Sequence, residues 1–139
     1  VKFYKEVLGL RVTMDLGANV TLTGGVALQT QESWCEFISK DLQSISFGGN
    51  AAELYFEEDK FDDFLKKLAA IKGIFYVHPV QQYSWGQRVI RFYDPDFHIL
   101  EVGENMKSVC RRFLDSGMTI EAAAVRMNVP EKFVRACVR

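Results

Sequence analysis

The 139-residue chain is 48% hydrophobic and 25% charged and carries a formal net charge of −1, which is typical of one compact domain with a small appendage. No run of residues is long or apolar enough to cross a bilayer, and no secretory segment is visible, so no membrane partner is expected. The cysteine pattern predicts reduced thiols in a cytoplasmic protein. Three widely spaced cysteines without a CxxC pair speak against structural disulfides and against a cysteine zinc site. The charge is uneven: residues 1–106 hold 10 Lys and Arg against 15 Asp and Glu, whereas residues 107–139 hold 7 against 3. The acidic body is therefore not expected to bind nucleic acid.

The first elements alternate between helix and strand patterns. Apolar residues on one face predict a helix over residues 1–8, which Gly9 is placed to end. Strand-like pieces follow at 11–16, 19–23 and 26–30, with turns between them. Residues 31–50 have mixed character and are predicted to be a loop with at most one short helical or strand turn.

The same order then recurs with a leading strand. Residues 51–57 alternate like a strand, and 60–71 predict an amphipathic helix that Asp59 is placed to cap. Three further strands are predicted at 76–82, 87–93 and 98–103. The fold class is therefore α+β, with two βαβββ modules that form curved mixed sheets. We expect the first strand of the first module to precede residue 1.

The C-terminal segment has a helical pattern. Helices are predicted at 106–114, 120–127 and 131–138, with Thr119 as an N-cap. The segment resembles the helix-turn-helix pattern of bacterial regulators, but only Lys132, Arg135 and Arg139 would serve a recognition helix. A packing appendage or a dimer-stabilising arm is the favoured interpretation.

Strand alternation divides the residues of the predicted sheets into two faces. The face toward the helices would be apolar: Leu28, Leu54, Phe56, Ile90, Phe92, Leu100 and Val102. The opposite face would carry Gln29, Glu53, Tyr55, Arg91, Tyr93 and Glu101. This pattern suits a sheet curved around a polar cavity, and it also suits an ordinary sheet with one wet face.

Three motifs carry a resemblance to a known superfamily: FYKEVLGLRV at 3–12, AELYFEEDKFDDFLKKL at 52–68 and WGQRVIRFYDPDFHILEVGE at 85–104. With them the chain resembles the vicinal oxygen chelate superfamily, which holds glyoxalase I, bleomycin and fosfomycin resistance proteins and extradiol dioxygenases. The resemblance implies a domain over residues 1–105, with modules at about 1–50 and 51–105, and a helical extension over 106–139. It also implies a small-molecule ligand and a cavity closed within the chain or across a homodimer.

The resemblance further implies a set of metal ligands. Glu101 lies at the superfamily's glutamate position, and Glu53 stands where the second module usually has histidine. Gln29 is the candidate on the fourth strand, and the last ligand would belong to the expected leading strand. A divalent ion (Mn, Ni, Fe, Zn or Mg) would bind two vicinal substrate oxygens, with a displaced glutamate as the base.

The other candidate site residues have structural interpretations as well. Arg91 would anchor an anionic substrate group or else pair with a glutamate. Glu53 and Glu101, for their part, could each pair with Arg88 or Arg91 or be solvated. Tyr55 and Tyr93 would form the cavity wall, and Trp34, Tyr83 and Trp85 its rim. His78 and His98 are interpreted as structural.

Two functions remain open from the sequence. The first is a metal-dependent, glyoxalase-like lyase or isomerase acting on a small vicinally oxygenated substrate, although the absent histidine speaks against true glyoxalase I activity. The second is a metal-free binding protein of the bleomycin-resistance type. A DNA-binding regulator is a distant third.

Overall fold

The computed structural model describes residues 1–138 and divides into two compact units. The first unit comprises residues 1–49 and 95–97, and the second comprises residues 50–94 and 98–138. Within the described residues, no helix has the length and apolar character needed to cross a membrane.

The first unit contains a helix, a small antiparallel sheet and a second helix. The three strands of the sheet are hydrogen-bonded in chain order, and the unit also holds two short 3-10 turns. The predicted first helix and its stop are confirmed, because Gly9 adopts the left-handed conformation at φ 68°. The elements are α1 (Lys2–Leu8), β1 (Val12–Asp15), β2 (Asn19–Leu22), β3 (Ala27–Gln29) and α2 (Gln31–Ile38).

The helix α2 corrects the prediction of a loop at 31–50. Its N-cap is Thr30, whose hydroxyl accepts a hydrogen bond from the backbone N–H of Ser33, and it ends at Ser39 in the left-handed conformation. Only Cys35 is buried along it. Capping at both ends, rather than an apolar stripe, marks this helix.

The second unit contains the complete βαβββ module. The elements are β4 (Glu53–Glu58), α3 (Phe61–Ala70), β5 (Tyr76–Gln82), β6 (Arg88–Tyr93) and β7 (Ile99–Glu104). The sheet has the order β4-β7-β6-β5, in which β4 and β7 are parallel and the other pairs are antiparallel. The predicted strands and the mixed sheet are thus confirmed.

The helix α3 covers one face of this sheet. Its buried residues Phe61, Phe64 and Leu68 follow the helical repeat, and the Phe64 ring centroid lies 6.4 Å from that of Phe92 on β6. The prediction that Asp59 caps the helix is wrong, because the N-cap position is Lys60 and no side chain caps it. Since successive strand residues alternate in direction, the other face of the sheet is the one that carries Arg91 and Glu101.

Three helices complete the second unit: α4 (Met106–Asp115), α5 (Ile120–Met127) and α6 (Glu131–Cys137). The predicted cap is confirmed, since the Thr119 hydroxyl accepts a hydrogen bond of 3.1 Å from the N–H of Ala122. On α6, the guanidinium of Arg135 is paired with Glu131 and Glu121 at 3.2 and 3.7 Å. The helices share one apolar core, formed by Val109, Cys110, Phe113, Ala123, Ala124, Met127, Val134 and Cys137. The boundary at residue 105 stays a prediction, since α4 belongs to the same compact unit as the module.

Candidate functional site

One row of residues crosses all four strands of the second sheet. Tyr55 on β4 is aligned with Glu101 on β7, Glu101 with Arg91 on β6, and Arg91 with His78 on β5. Aligned residues on neighbouring strands point to the same face, so these four side chains share the face away from α3. Sheet order and register together build this site.

Arg91 is the centre of the row. Its Nε donates to Glu53 Oε2 at 2.7 Å and its Nη2 to Glu101 Oε2 at 2.5 Å. Its Nη1 donates to the Tyr83 hydroxyl at 2.6 Å and lies 3.2 Å from His78 Nε2. Of the alternatives left open by the sequence, the structure shows Arg91 paired with both glutamates.

The two glutamates differ in their protonation. Burial raises the pKa of Glu101 to about 7, and its hydrogen bond with Glu53 acts in the same direction, while Arg91 opposes them. Glu101 is 7% exposed, whereas Glu53 lies at the exposed end of β4. The hydrogen bond from Arg91 holds the pKa of Glu53 below its ordinary value. At neutral pH Glu53 is therefore ionised, and Glu101 is near its midpoint.

His78 is oriented by the backbone next to it. Its Nδ1 lies 2.6 Å from the carbonyl oxygen of Pro79, which only accepts, so Nδ1 carries the proton. The lone pair on Nε2 is then free to accept from Arg91. The sequence-based interpretation of His78 did not anticipate this contact.

A series of stacked aromatic rings and side-chain hydrogen bonds extends the site from Arg91. The Tyr83 and Trp85 rings are stacked with centroids 4.5 Å apart, and the indole N–H of Trp85 donates to Gln87 Oε1 at 3.0 Å. Gln87 Nε2 in turn donates to the Tyr55 hydroxyl at 2.9 Å. Gly103 makes room for this bond, because a Cβ there would lie 2.7 Å from Gln87 Nε2.

Tyr55 is the last residue of this hydrogen-bonded series, and its phenol is neutral. Burial raises its pKa to about 12, so it keeps its proton at neutral pH and donates to Glu57 at 3.0 Å. Gln87 was not among the site residues predicted from the sequence. The sequence signal that could have indicated Gln87 is its position: it directly follows the turn Ser84–Trp85–Gly86 and begins the predicted strand that carries Arg91.

The remaining predicted site residues lie elsewhere. Tyr93, at the end of β6, donates its hydroxyl proton to Asn50 Oδ1 at 3.0 Å. Gln29 belongs to the first unit, where it is hydrogen-bonded to Asn19 and Ser33 at 2.6 Å each. Trp34, on α2 of the first unit, is 46% exposed. Of the predicted set, the structure brings Glu53, Glu101, Arg91, Tyr55 and Trp85 into one hydrogen-bonded and stacked network.

Arg88 and His98 have structural partners. Arg88 Nε donates to Glu104 Oε1 at 3.0 Å, and its Nη1 donates to Asp62 at 2.8 Å, so it does not pair with the glutamates of the row. His98 is held by Asp94, which accepts from the backbone N–H of His98 at 2.9 Å and lies 2.9 Å from its Nδ1. This agrees with the interpretation of His98 as a structural residue.

The profile of the glyoxalase-like domain matches residues 1–107 of the chain, which is most of its length. The chain belongs to the glyoxalase-like domain family. The superfamily predicted from the three sequence motifs is thereby confirmed. No curated protein matches this glyoxalase-like chain.

Solved structures agree with the assignment. A protein of unknown function from Agrobacterium tumefaciens str. C58 is 36% identical, with a TM-score of 0.65 over 75% of this chain and 81% of that one. A glyoxalase-related enzyme from Fulvimarina pelagi is 18% identical, with a TM-score of 0.60 over 76% of this chain and 77% of that one. A glyoxalase/bleomycin resistance protein/dioxygenase from Nocardioides is 21% identical, with a TM-score of 0.58 over 74% and 72% of the two chains. The last two show likeness of fold.

Glu53 and Glu101 of this glyoxalase-like site are arranged around Arg91 and not around an open position for a divalent metal ion. Within residues 1–138, no three His, Cys, Asp or Glu side chains form a cluster that would hold an ion. The position between Glu53 and Glu101 is taken by the guanidinium of Arg91. A dication placed there would lose those oxygens to the arginine or face its positive charge at close range.

Proposed function

We propose that this glyoxalase-like protein is a lyase or isomerase that moves a proton on a small vicinally oxygenated substrate, with Glu101 as the acid and base. The observation that carries the proposal is a buried carboxyl group at the centre of a polar sheet face, hydrogen-bonded to the guanidinium of Arg91. Burial raises the pKa of this group to about 7. A proton-transfer group works best when its pKa lies near the operating pH, because both of its forms are then available. A solvated glutamate would be too weak a base for this role.

The chemistry follows from the contacts of Glu101. The ionised carboxylate takes a proton from the carbon next to a substrate carbonyl, and the electron pair of the broken C–H bond moves to the carbonyl oxygen. Arg91 supplies a positive charge beside the enediolate that results. The protonated Glu101 then returns the proton to the former carbonyl carbon. In the same step the hydroxyl proton on the adjacent carbon moves to the former carbonyl oxygen and a new carbonyl group forms on the carbon that was deprotonated, which leaves the enzyme unchanged.

The neighbouring residues support this cycle. Glu53 stays ionised, fixes the guanidinium of Arg91 and raises the pKa of Glu101. The stacked pair Tyr83 and Trp85 offers a flat apolar wall for the carbon skeleton of the substrate.

Deuterium exchange tests the proposal directly. The protein is incubated in deuterated water with the methylglyoxal–glutathione hemithioacetal, other aldehyde–thiol adducts and catechols, and incorporation is followed by NMR. We expect incorporation into at least one aldehyde–thiol adduct, reduced about 100-fold or more in Glu101→Gln. Glu58→Gln, which removes a carboxylate bonded to the Lys60 N–H rather than to Arg91, is the matched control. Equal exchange in the wild type and Glu101→Gln would contradict the role of Glu101.

A metal-free binding protein of the bleomycin-resistance type is the second candidate, and the Tyr83–Trp85 stack favours it. A planar aromatic ligand would quench the fluorescence of Trp85 on stacking. Binding of such ligands that is retained in Glu101→Gln, together with no exchange in any form of the protein, would identify this function instead.

The metal, partner and location hypotheses stay predictions. Elemental analysis of the wild type and Glu101→Gln, with titration of Mn, Ni, Fe, Zn and Mg, tests the divalent metal. Stoichiometric metal that is lost in the variant would overturn the metal-free cycle. Sedimentation tests the homodimer, and cell fractionation tests the cytoplasmic location.

A further inference from the structure

The turn between β5 and β6 carries the aromatic wall of the site. It is closed by two backbone hydrogen bonds of 2.9 Å, from Tyr83 N–H to the Gln87 carbonyl and from Gly86 N–H to the Tyr83 carbonyl. The stacked rings of Tyr83 and Trp85 stand on this turn, and the Tyr83 hydroxyl accepts from Arg91. The conformation of the turn therefore decides where the wall stands relative to Arg91.

The first C-terminal helix packs directly on the turn backbone. A Cβ built on Gly86 would lie 2.1 Å from Cζ of Phe113, so the phenyl ring occupies the space that any side chain there would need. Gly86 also has φ +88°, a conformation that favours glycine. Phe113 itself is 8% exposed and belongs to the core of the three C-terminal helices.

A second contact ties the turn to the same helix. Nη2 of Arg112 donates to the Gly86 carbonyl at 2.8 Å and to Glu104 Oε1 at 2.9 Å. Glu104 is 5% exposed and also binds Arg88, so it is a fixed partner for Arg112. The turn is thus held by one apolar contact and one charged hydrogen bond, both from α4.

We infer that the C-terminal helices position the aromatic wall of the site, with Phe113 and Arg112 as positioning residues that hold the turn between β5 and β6. Both residues lie beyond residue 107, where the match to the family domain ends. The extension is then a part of the site's support rather than an independent module. The role of the aromatic wall in substrate binding rests on the proposed function. The contact of Phe113 and Arg112 with the turn does not depend on it.

Trp85 reports on this contact once the other tryptophan is removed. In a Trp34→Phe background we compare the Trp85 emission maximum and its quenching by acrylamide in Arg112→Met and Arg126→Met. Arg126 is the matched control, because its guanidinium lies 5.7 Å from the same Phe113 ring and contacts the ring rather than the turn carbonyl. Arg112→Lys keeps one charged donor for that carbonyl.

We expect Arg112→Met to shift the emission to longer wavelength and to raise the quenching constant at least twofold, with partial restoration in Arg112→Lys. Arg126→Met should match the parent. Equal quenching in Arg112→Met and Arg126→Met would overturn the inference.

The two proposals fail in different ways. If no form of the protein exchanges deuterium into substrate while Arg112→Met still doubles the quenching, the proposed function is wrong and the positioning stands. If Glu101→Gln abolishes exchange while Arg112→Met leaves Trp85 unchanged, the proposed function stands and the positioning is wrong.

Discussion

The protonation of Glu101 makes the stability of the protein depend on pH in an unusual range. Burial raises the pKa of this carboxyl group to about 7 in the folded protein, against 4.5 for an unperturbed glutamate. Between these two values the folded chain holds a proton that the unfolded chain has released. Stability that comes from Glu101 is therefore present at about pH 4.5 and is lost as the pH rises through 7.

The size of this effect follows from the shift. A difference of about 2.5 pKa units, at 1.36 kcal/mol for each unit, sets an upper bound of about 3 kcal/mol of unfolding free energy, which solvent screening reduces. Glu53 acts in a separate window, because its pKa is lowered and its contribution is lost only as the pH falls below 4.5. Arg91 stays charged throughout.

Urea unfolding of the wild type and Glu101→Gln at intervals from pH 5 to pH 8 measures the effect. The variant should gain stability relative to the wild type as the pH rises, by at most about 3 kcal/mol. Glu58→Gln gives the baseline for loss of a carboxylate outside the network. A constant difference between wild type and Glu101→Gln over this range would refute the reasoning, since Glu101 would then titrate as it does in water.

Three further predictions concern the site and the core. Glu53→Gln should lower the pKa of Glu101 toward its ordinary value, because the carboxylate of Glu53 raises it. The pKa of Glu101 is measured by carbon-13 NMR titration, and a value that is higher than in the wild type or unchanged would contradict this coupling. Gly103→Ala should lower the free energy of unfolding in urea by about 1–3 kcal/mol, because the new Cβ would lie 2.7 Å from Gln87 Nε2. An unchanged urea midpoint would mean that the side-chain amide of Gln87 moves aside without cost. Met127→Ala should cost about 2–5 kcal/mol and speed amide exchange in the C-terminal helices, since Met127 is 2% exposed; unaltered exchange there would show that these helices do not depend on this side chain.

Local periodicity explains which helices could be predicted. The stripe of Phe61, Phe64 and Leu68 on α3 is visible in the sequence because burial repeats every three to four residues. The helix α2 has only Cys35 buried and depends on Thr30 and the left-handed Ser39 at its ends. Such caps are short polar signals that also occur in turns, so the sequence favoured a loop there.

The site was predictable only up to the register of the sheet. Alternation placed Arg91 and Glu101 on one face, and the sequence left open whether they would pair. Which residues become neighbours depends on strand order and on irregularities in pairing. The register of β5 shifts on both sides of His78, so counting by twos along that strand could not place the imidazole beside Arg91.

The guanidinium of Arg91, between two glutamates, supplies the positive charge of this site from the protein itself. Arg91 is part of the polypeptide, so its positive charge is present in every folded copy of the chain. A chelator cannot remove it, and a competing ion cannot replace it. The metal-free cycle proposed above would consequently continue under metal starvation, because its positive charge comes from Arg91.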